Sequence, residues 1–226
     1  TDDSGQNQRY HHGNVKEALI EMAMKMIERA DVGTLSLRRL SKEVGVTPSA
    51  VYNHFVDKDA LLLAIKTRIY DEMNQYFEEH RSGTDDPEQE LLEICTSYYH
   101  YSHEYPSQFQ FLFGSVLPME WSTQENVEIF CRSILRTRKL VWKIFEKYQI
   151  PCSETTVVNA ALLVWSQLHG IVTLRNSGSI KAAVTYLEWP TSCALTNDAE
   201  VEALIKNHIQ LMVNGILNSQ RNGGSH

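Results

Sequence analysis

Residues 36–55 carry two short helical patterns separated by one glycine, and this arrangement constrains the fold more than any other feature. Ser36 is a favoured N-cap residue. The apolar residues that follow it recur at helical spacing: Leu37, Leu40 and Val44. Gly45 then provides a stop signal, because glycine adopts the left-handed conformation without a steric penalty. This half of the segment predicts a short helix that ends abruptly.

A second short helix follows the glycine directly. Thr47 is its expected N-cap, and Pro48 takes the first helical position, where the missing N–H costs nothing. Val51 and Phe55 lie four residues apart and form its inward face. Such a helix-turn-helix presents its second helix as a ridge that fits the major groove of DNA. The alternative is a hairpin that only packs inside the protein, which its polar outer face makes less attractive.

The outer face of the second helix suits contact with DNA. Four small or polar side chains can approach base edges: Ser49, Ala50, Asn53 and His54. Flanking residues suit the phosphates, at the helix start or on either side of the groove: Ser36, Arg38, Thr47, Tyr52 and Lys58. Arg38, Arg39 and Lys42 form a basic cluster beside this surface, although each is equally explained as ordinary solvated surface.

Helical periodicity continues through the rest of the chain, and no segment shows the alternation of a β-strand. The first helix is expected from Asn14 to about Asp31, and Asp57 should cap a fourth helix. Further helices are expected at about 88–104, 125–148, 153–174 and 199–217. Interruptions are expected at four residues: Pro118, Gly178, Pro190 and Asn197. The pattern predicts an all-α fold, with a three-helix N-terminal domain and a larger C-terminal helical domain.

Charge and composition leave a DNA-binding role open. The net charge is −7, but residues 1–70 hold ten Lys/Arg and nine Asp/Glu, so the acidic excess lies in the remainder. Because residues 1–70 are nearly neutral, a local basic surface among them can bind phosphate although the rest of the chain is acidic. The longest apolar run, Ala160–Trp165, is too short for a membrane span, and residues 1–8 do not resemble a signal peptide. We expect a cytoplasmic protein without a membrane partner.

The four cysteines are expected to be reduced thiols: Cys95, Cys131, Cys152 and Cys193. None belongs to a Cys-x-x-Cys pair, and a chain of 226 residues needs no disulfides for stability.

Residues from about Tyr10 to Ile69 resemble the DNA-binding domain of the TetR family of bacterial regulators. The matching segments are Leu40–Thr47 (LSKEVGVT), Ala50–Phe55 (AVYNHF) and Lys58–Leu62 (KDALL). The resemblance implies a homodimer, a palindromic operator and repression that a ligand relieves. Carried over by position, it implies groove or phosphate contacts at Thr47, Pro48, Ser49, Tyr52, Asn53, His54 and Lys58. Leu40-Ser41 stands where the family often has isoleucine-alanine, which is a difference in packing.

A second resemblance concerns one subset of this family. The segment Tyr10–Asn14 (YHHGN) resembles the start of that subset, which tends to carry a late Trp-x-x-x-His-Gly signature; Trp165-Ser166-Gln167-Leu168-His169-Gly170 matches it. With the family in view, four parts are expected: a disordered arm at 1–8, the helix-turn-helix domain at 9–56, a connecting helix at 57–81, and a ligand-binding and dimerisation domain at 82–226.

Aromatic residues are prominent after residue 70 and can wall an apolar pocket. The predicted ligand-binding residues are Tyr98, Phe109, Phe113, Trp121, Trp142, Trp165 and His169. Trp165 and His169 are neighbours on one helical face, and His169 can offer a hydrogen bond to a small apolar or aromatic effector. Plain core packing explains most of these aromatic residues equally well, and a satisfied core histidine is the alternative for His169.

Two amphipathic segments are the candidates for a dimer interface. In the resembled family, two such helices from each subunit form a four-helix interface. The residues predicted to lie there are Val157, Ala161, Val164, Leu168, Leu204, Ile205, His208 and Met212. The alternative is that each helix packs only within its own chain.

Two other classes of protein are weighed against a regulator. The strongest sequence evidence for an enzyme is His100-x-x-His103-Glu104, but its residues are not in the order of a zinc protease. The sequence contains neither a phosphate-binding glycine loop nor a serine elbow. A helical adaptor that binds protein is the other alternative. We therefore expect no catalytic residue, no metal and no cofactor.

Overall fold

The computed structural model describes residues 15–29, 35–114 and 123–223. Within these residues the fold is helical and contains no strand. The helices are α1 (Val15–Glu28), α2 (Leu37–Val44), α3 (Pro48–Tyr52), α4 (Lys58–Glu79), α5 (Pro87–Glu104), α6 (Pro106–Phe113), α7 (Gln124–Phe130), α8 (Arg132–Lys147), α9 (Glu154–Asn176), α10 (Ser179–Tyr186) and α11 (Asp198–Gly223). A short 3₁₀ turn, Thr191–Cys193, lies between α10 and α11.

Some sequence-based expectations fall outside the described residues. These are the disordered arm at 1–8, the YHHGN segment, the end of the first helix at Asp31, the interruption at Pro118 and the predicted ligand residue Trp121.

The described chain forms two compact units. The first comprises residues 15–29, 35–69 and 107–114, and the second comprises 70–106 and 123–223. The first unit therefore contains most of α6, which comes from far along the chain. The division within α4 falls at Ile69, so the predicted domain limits at residues 56 and 81 remain a prediction.

Local signals explain the helices of the first unit. The N-cap predictions are confirmed: Ser36 accepts from the N–H of Arg39 at 3.2 Å and Thr47 from that of Ala50 at 3.2 Å. Asp57 likewise accepts from the N–H of Ala60 at 2.8 Å, at the start of α4. The buried apolar residues of α1 follow a helical stripe: Leu19, Ile20, Ala23, Met24, Met26 and Ile27.

The second unit packs α5, α8, α9 and α11 around a helical core. One of its clusters joins α8 to α9 and consists of Val141, Phe145, Ile150, Val157 and Ala161. Charged groups connect α5 and its N-cap to α8, since Arg136 of α8 pairs with the largely buried Glu90, and Lys147 of α8 pairs with Asp86 and Glu88.

Two predicted segments differ from the structure. The single helix expected at 125–148 is wrong, because Cys131, with φ −98° and ψ 3°, separates α7 from α8. The polar stretch expected before the last helix contains a further helix, α10, whose preceding residue Gly178 has φ 72°. The predictions for the flanking helices α5, α9 and α11 are confirmed to within a few residues at most ends, which is the usual uncertainty of helix boundaries.

Helix α9 is more apolar than the sequence analysis implied. Its length and composition satisfy the requirements of a membrane span, although only 28% of the qualifying window is buried. This is weak evidence for a membrane, because core helices of soluble proteins satisfy the same requirements. The inner residues of α9, including Val157, Val164 and Val172, are fully buried in the second unit.

Candidate nucleic-acid interface

The turn between α2 and α3 depends on Gly45. Its φ is 77°, in the left-handed region that other residues rarely adopt, and its N–H donates to the carbonyl of Ser41. The N–H of Val46 donates to the same carbonyl at 2.9 Å. The chain thereby changes direction within two residues, which places the start of α3 directly after α2.

Helix α3 is short and is held from behind. It spans five residues, and the helical bonding continues past it because the N–H of Phe55 donates to the carbonyl of Val51 at 2.9 Å. Val51 is fully buried and Phe55 is 2% exposed. These two side chains anchor the short rod in the first unit and leave its opposite face outward.

The outward face contains the predicted DNA contacts. The exposed members are Thr47, Pro48, Ser49, Tyr52, Asn53, His54 and Lys58, whereas Ala50 is half-buried. Tyr52 is 51% exposed, a large fraction for an aromatic side chain. None of these predicted contacts is packed inside the protein, so the surface is accessible to a duplex.

The start of α2 borders this face. Ser36 and Arg38 are exposed, and the hydroxyl of Ser36 is already used as the helix cap. Arg39 lies 3.9 Å from Glu43, which offsets part of its charge, so the basic cluster is weaker than its composition indicates.

In the second unit, Tyr98 and His169 form a polar pair. The Tyr98 hydroxyl lies 2.7 Å from Nδ1 of His169. Tyr98 is only 4% exposed, and burial raises the pKa of its hydroxyl well above the usual range. Burial also lowers the pKa of His169. The pair is therefore a neutral donor–acceptor pair at neutral pH.

The other predicted ligand residues lie in different settings. Trp165 is 40% exposed, with its ring centroid 6.1 Å from that of His169. Phe109 and Phe113 contact each other at 4.8 Å between centroids and belong to the first unit. Trp142 lies on the exposed surface of α8, where its indole N–H donates to Glu146 at 2.8 Å. Trp142 is 38% exposed, so its role in ligand binding stays a prediction.

Sequence reasoning missed the α4 aromatics beside this pair. Phe77 lies 6.5 Å from Tyr98 between ring centroids, and Tyr101 contacts the same Phe77 at 6.5 Å. Tyr70 lies two helical turns before Phe77 on α4, and burial raises its pKa to about 12. The signal that was available is the seven-residue spacing of Tyr70 and Phe77, which places both on one face of α4.

The predicted interface residues of α9 and α11 need correction. Five of them are buried within their own chain: Val157, Ala161, Val164, Leu168 and Ile205. A side chain that already packs in the core of one subunit is not available to a partner. The exposed apolar residues of the same helices are others, among them Leu162, Leu163, Leu174 and Leu211; of the predicted set, Leu204 is exposed, and His208 and Met212 are half-buried.

The histidines proposed for an alternative enzyme have partners. Nε2 of His100 lies 2.8 Å from Glu202, and Nδ1 of His103 lies 3.3 Å from a guanidinium nitrogen of Arg175. Across the described ranges no group of three or more metal-ligating side chains is found.

A short helix that is buried on its inner side and exposed on its outer side, directly after a glycine turn, is the arrangement by which helix-turn-helix regulators bind DNA. Residues 19–65 match the family described as "Bacterial regulatory proteins, tetR family", and residues 91–188 match the "Tetracyclin repressor-like, C-terminal domain". Together these matches span more than half of the chain. The chain belongs to the TetR family of bacterial transcriptional regulators, a family of typically non-enzymatic proteins.

Individual relatives agree with this assignment. An uncharacterized HTH-type transcriptional regulator of Mycobacterium tuberculosis, Rv0681, is 22% identical over 72% of this chain and 71% of its own. A solved protein of unknown function from Rhodococcus sp. RHA1 superposes with a TM-score of 0.68 at 22% identity, covering 92% of this chain and 98% of its own. FadR of Bacillus subtilis, solved in complex with stearoyl-CoA, gives a TM-score of 0.60 at 13% identity, covering 88% and 98%.

Proposed function

We propose that this regulator is a cytoplasmic repressor that binds a palindromic operator as a homodimer and is released by a small apolar or aromatic effector. The observation that carries the DNA part is the exposed outer face of α3, with Val51 and Phe55 buried behind it. Its side chains match the requirements of base and phosphate contact.

Lys58 supports the same proposal. It is exposed and is the first residue of α4. A cation in the first turn of a helix is unfavourable, because the N-terminus carries the positive end of the helix dipole. The helix itself therefore gains nothing from Lys58, whereas a DNA phosphate would be bound both by its ammonium group and by the dipole.

Dimerisation is supported by the outer faces of α9 and α11. Leu163 is 59% exposed and Leu211 is 71% exposed, and exposed apolar residues indicate an interaction surface when several of them share a face. Gly170 and Gly215 lie at helical spacing from these leucines, and a Cβ at either position would meet no atom within 4 Å beyond its own turn of helix. A glycine inside a helix costs roughly 1 kcal/mol relative to alanine. We attribute both glycines to the close approach of a helix from a second copy.

The effector is proposed to bind beside Tyr98 and His169. A neutral donor–acceptor pair among aromatic rings suits an apolar or aromatic molecule with few polar groups. FadR, which shares the fold, was solved in complex with stearoyl-CoA, so this fold binds an acyl-bearing molecule in at least one protein.

Selection from a random duplex library tests the central proposal. The purified full-length chain is expected to enrich an inverted repeat, and gel shifts of the enriched duplex should weaken steeply as salt rises. A helical adaptor or an enzyme would enrich no sequence. Failure to enrich any duplex over several rounds would contradict the assignment of α3 as the DNA-contacting helix.

A further inference from the structure

Lys66 is a buried cation in the DNA-binding unit. It lies on α4 and is only 2% exposed, whereas lysine side chains are almost never fully buried. Its ammonium group donates to the backbone carbonyl of Leu112 at 3.1 Å and lies 5.8 Å from the ring centroid of Phe111. Burial lowers the pKa of Lys66, so desolvation of the charge has a cost that its contacts must offset.

The carbonyl that Lys66 binds belongs to the last turn of α6. The final carbonyls of a helix lack intrahelical partners and carry the negative end of the helix dipole, so a cation there is favourable. The opposite end of α6 is also attached within the first unit, since the hydroxyl of Ser107 donates to the carbonyl of Glu28 at 3.5 Å. Two helices of the first unit, α1 and α4, thus bind the two ends of α6.

We infer that Lys66 is a positioning residue that fastens α6 to the DNA-binding unit, so that DNA binding by α3 depends on residues 107–113. Leu61 and Ile65, on the same stretch of α4 as Lys66, are fully buried in the unit that also buries Val51 and Phe55. Releasing α6 would expose the part of α4 beside these residues and loosen the packing that supports α3. This inference rests on the proposed DNA-binding function. It extends the DNA-binding unit beyond the first 69 residues of the chain, to include residues 107–113.

The test compares three variants of the full-length chain. K66M keeps the length and apolar stem of the side chain but removes its charge and donor. K66Q keeps a donor on a shorter stem and serves if K66M does not fold. K25M is the matched control, because Lys25 is an exposed lysine of the same unit, on α1.

Two readouts are needed. Hydrogen exchange of the amides at 110–114, which include the N–H of Gly114 bonded to Gln110 at 2.8 Å, should quicken roughly tenfold in K66M and less in K66Q. Amides of α2 should keep their protection. Affinity for the selected duplex should fall roughly threefold or more in K66M, with an unchanged salt slope, because no phosphate contact is removed. K25M should alter neither α6 exchange nor the ranking of duplexes.

The outcomes separate the inference from the function on which it rests. Unchanged exchange at 110–114 would overturn the fastening role, and faster exchange with unchanged DNA affinity would overturn the positioning role. A lower salt slope in K66M would point to a direct phosphate contact and would also overturn it. A failure of the proposed function would show in the wild-type chain, which would then select no duplex, whereas failure of this inference shows only in the differences between variants.

Discussion

The Tyr98 hydroxyl lies 2.7 Å from Nδ1 of His169, although 71 residues separate the two in the sequence. This hydrogen bond joins α5 to α9 inside the second unit. Each partner is partly removed from water by burial. Their hydrogen bond replaces part of the solvation that each has lost. The pair is consequently both a structural tie and the polar feature nearest to the proposed effector site.

Tyr98→Phe is expected to lower the free energy of unfolding by about 1–2 kcal/mol, because it removes the hydroxyl and leaves Nδ1 of His169 without this partner. Urea unfolding followed by circular dichroism measures the change. Tyr186→Phe is the control, since Tyr186 is 82% exposed and should be nearly neutral. DNA affinity should be unaffected. An equal loss of stability in Tyr98→Phe and Tyr186→Phe would contradict the importance of this hydrogen bond.

Acid is expected to destabilise the second unit through two of its half-buried histidines, His169 and His208. Burial lowers the pKa of His169 and of His208 below 6.5, so the unfolded chain binds protons more readily than the folded chain. The resulting contribution to stability is fully present above about pH 6.5 and is lost as pH falls through the lower folded pKa.

His208→Leu isolates one part of this effect. Nε2 of His208 is buried and lacks a hydrogen-bond partner among the described atoms, so its replacement by an apolar side chain should leave stability at pH 7.5 unchanged or higher. The loss of unfolding free energy between pH 7.5 and pH 5 should become smaller. His54→Gln, at an exposed histidine of the first unit, is the control and should keep the wild-type slope; a steeper slope in His208→Leu would refute the prediction.

The local structure around α2 and α3 could be predicted from sequence because its signals are local. Ser36, Gly45, Thr47 and Asp57 act on residues within five positions of themselves, through caps and one left-handed turn. The orientation of α3 follows from the buried pair Val51 and Phe55. The residue that would contact each base remains a prediction, because the bases themselves must be present to define it.

The break at Cys131 could not be predicted, because its bonding partner is distant in the sequence. Asn74 of α4 is buried, accepts from the hydroxyl of Ser133 at 2.9 Å and donates to the carbonyl of Ile129 at 3.4 Å. One side chain therefore bonds to both sides of the break, whereas residues 125–148 alone are helical throughout by pattern. The helix α6 was missed because it directly follows α5 and is only eight residues long.

The correction to the five buried residues of the interface prediction has a related reason. Helical periodicity locates an apolar stripe, and Val157, Val164 and Leu168 are indeed on such a stripe. Periodicity does not distinguish the stripe that faces the chain's own core from one that faces a partner. Only the burial of these residues, beside the exposure of Leu162 and Leu163, makes that distinction.

Substitutions on the DNA face should separate positioning from specificity. Lys58→Ala is expected to weaken binding to all duplexes alike and to reduce the log–log salt slope by about 1, since one phosphate contact is lost. Tyr52→Ala should also weaken all duplexes alike. Asn53→Ala should instead reduce the preference at one base position, by about 1–3 kcal/mol. Binding titrations against the selected duplex and its single-base variants measure these effects, and unchanged affinities in all three variants would remove α3 from the interface.

Charge placed on the outer face of α9 should dissociate the proposed dimer. Leu163→Glu puts a carboxylate where we expect a partner helix, and burying an unpaired charge is strongly unfavourable. Gly170→Leu should act in the same direction through steric obstruction, although its Cβ would meet no atom within 4 Å beyond its own turn of helix. Sedimentation velocity at micromolar protein should then show monomer for both variants and dimer for the wild-type chain.

Leu187→Glu is the matched control for the dimer test, because Leu187 is 63% exposed and lies after α10, outside the α9 and α11 faces. It should remain dimeric. Circular dichroism should show that the variants keep the helical content of the wild-type chain, because the substituted side chains are not part of the core. A wild-type chain that sediments as a monomer, or a Leu163→Glu variant that stays dimeric, would contradict the assignment of these faces. Association of the wild-type chain with lipid vesicles that Leu163→Glu abolishes would instead assign the apolar face of α9 to a membrane surface.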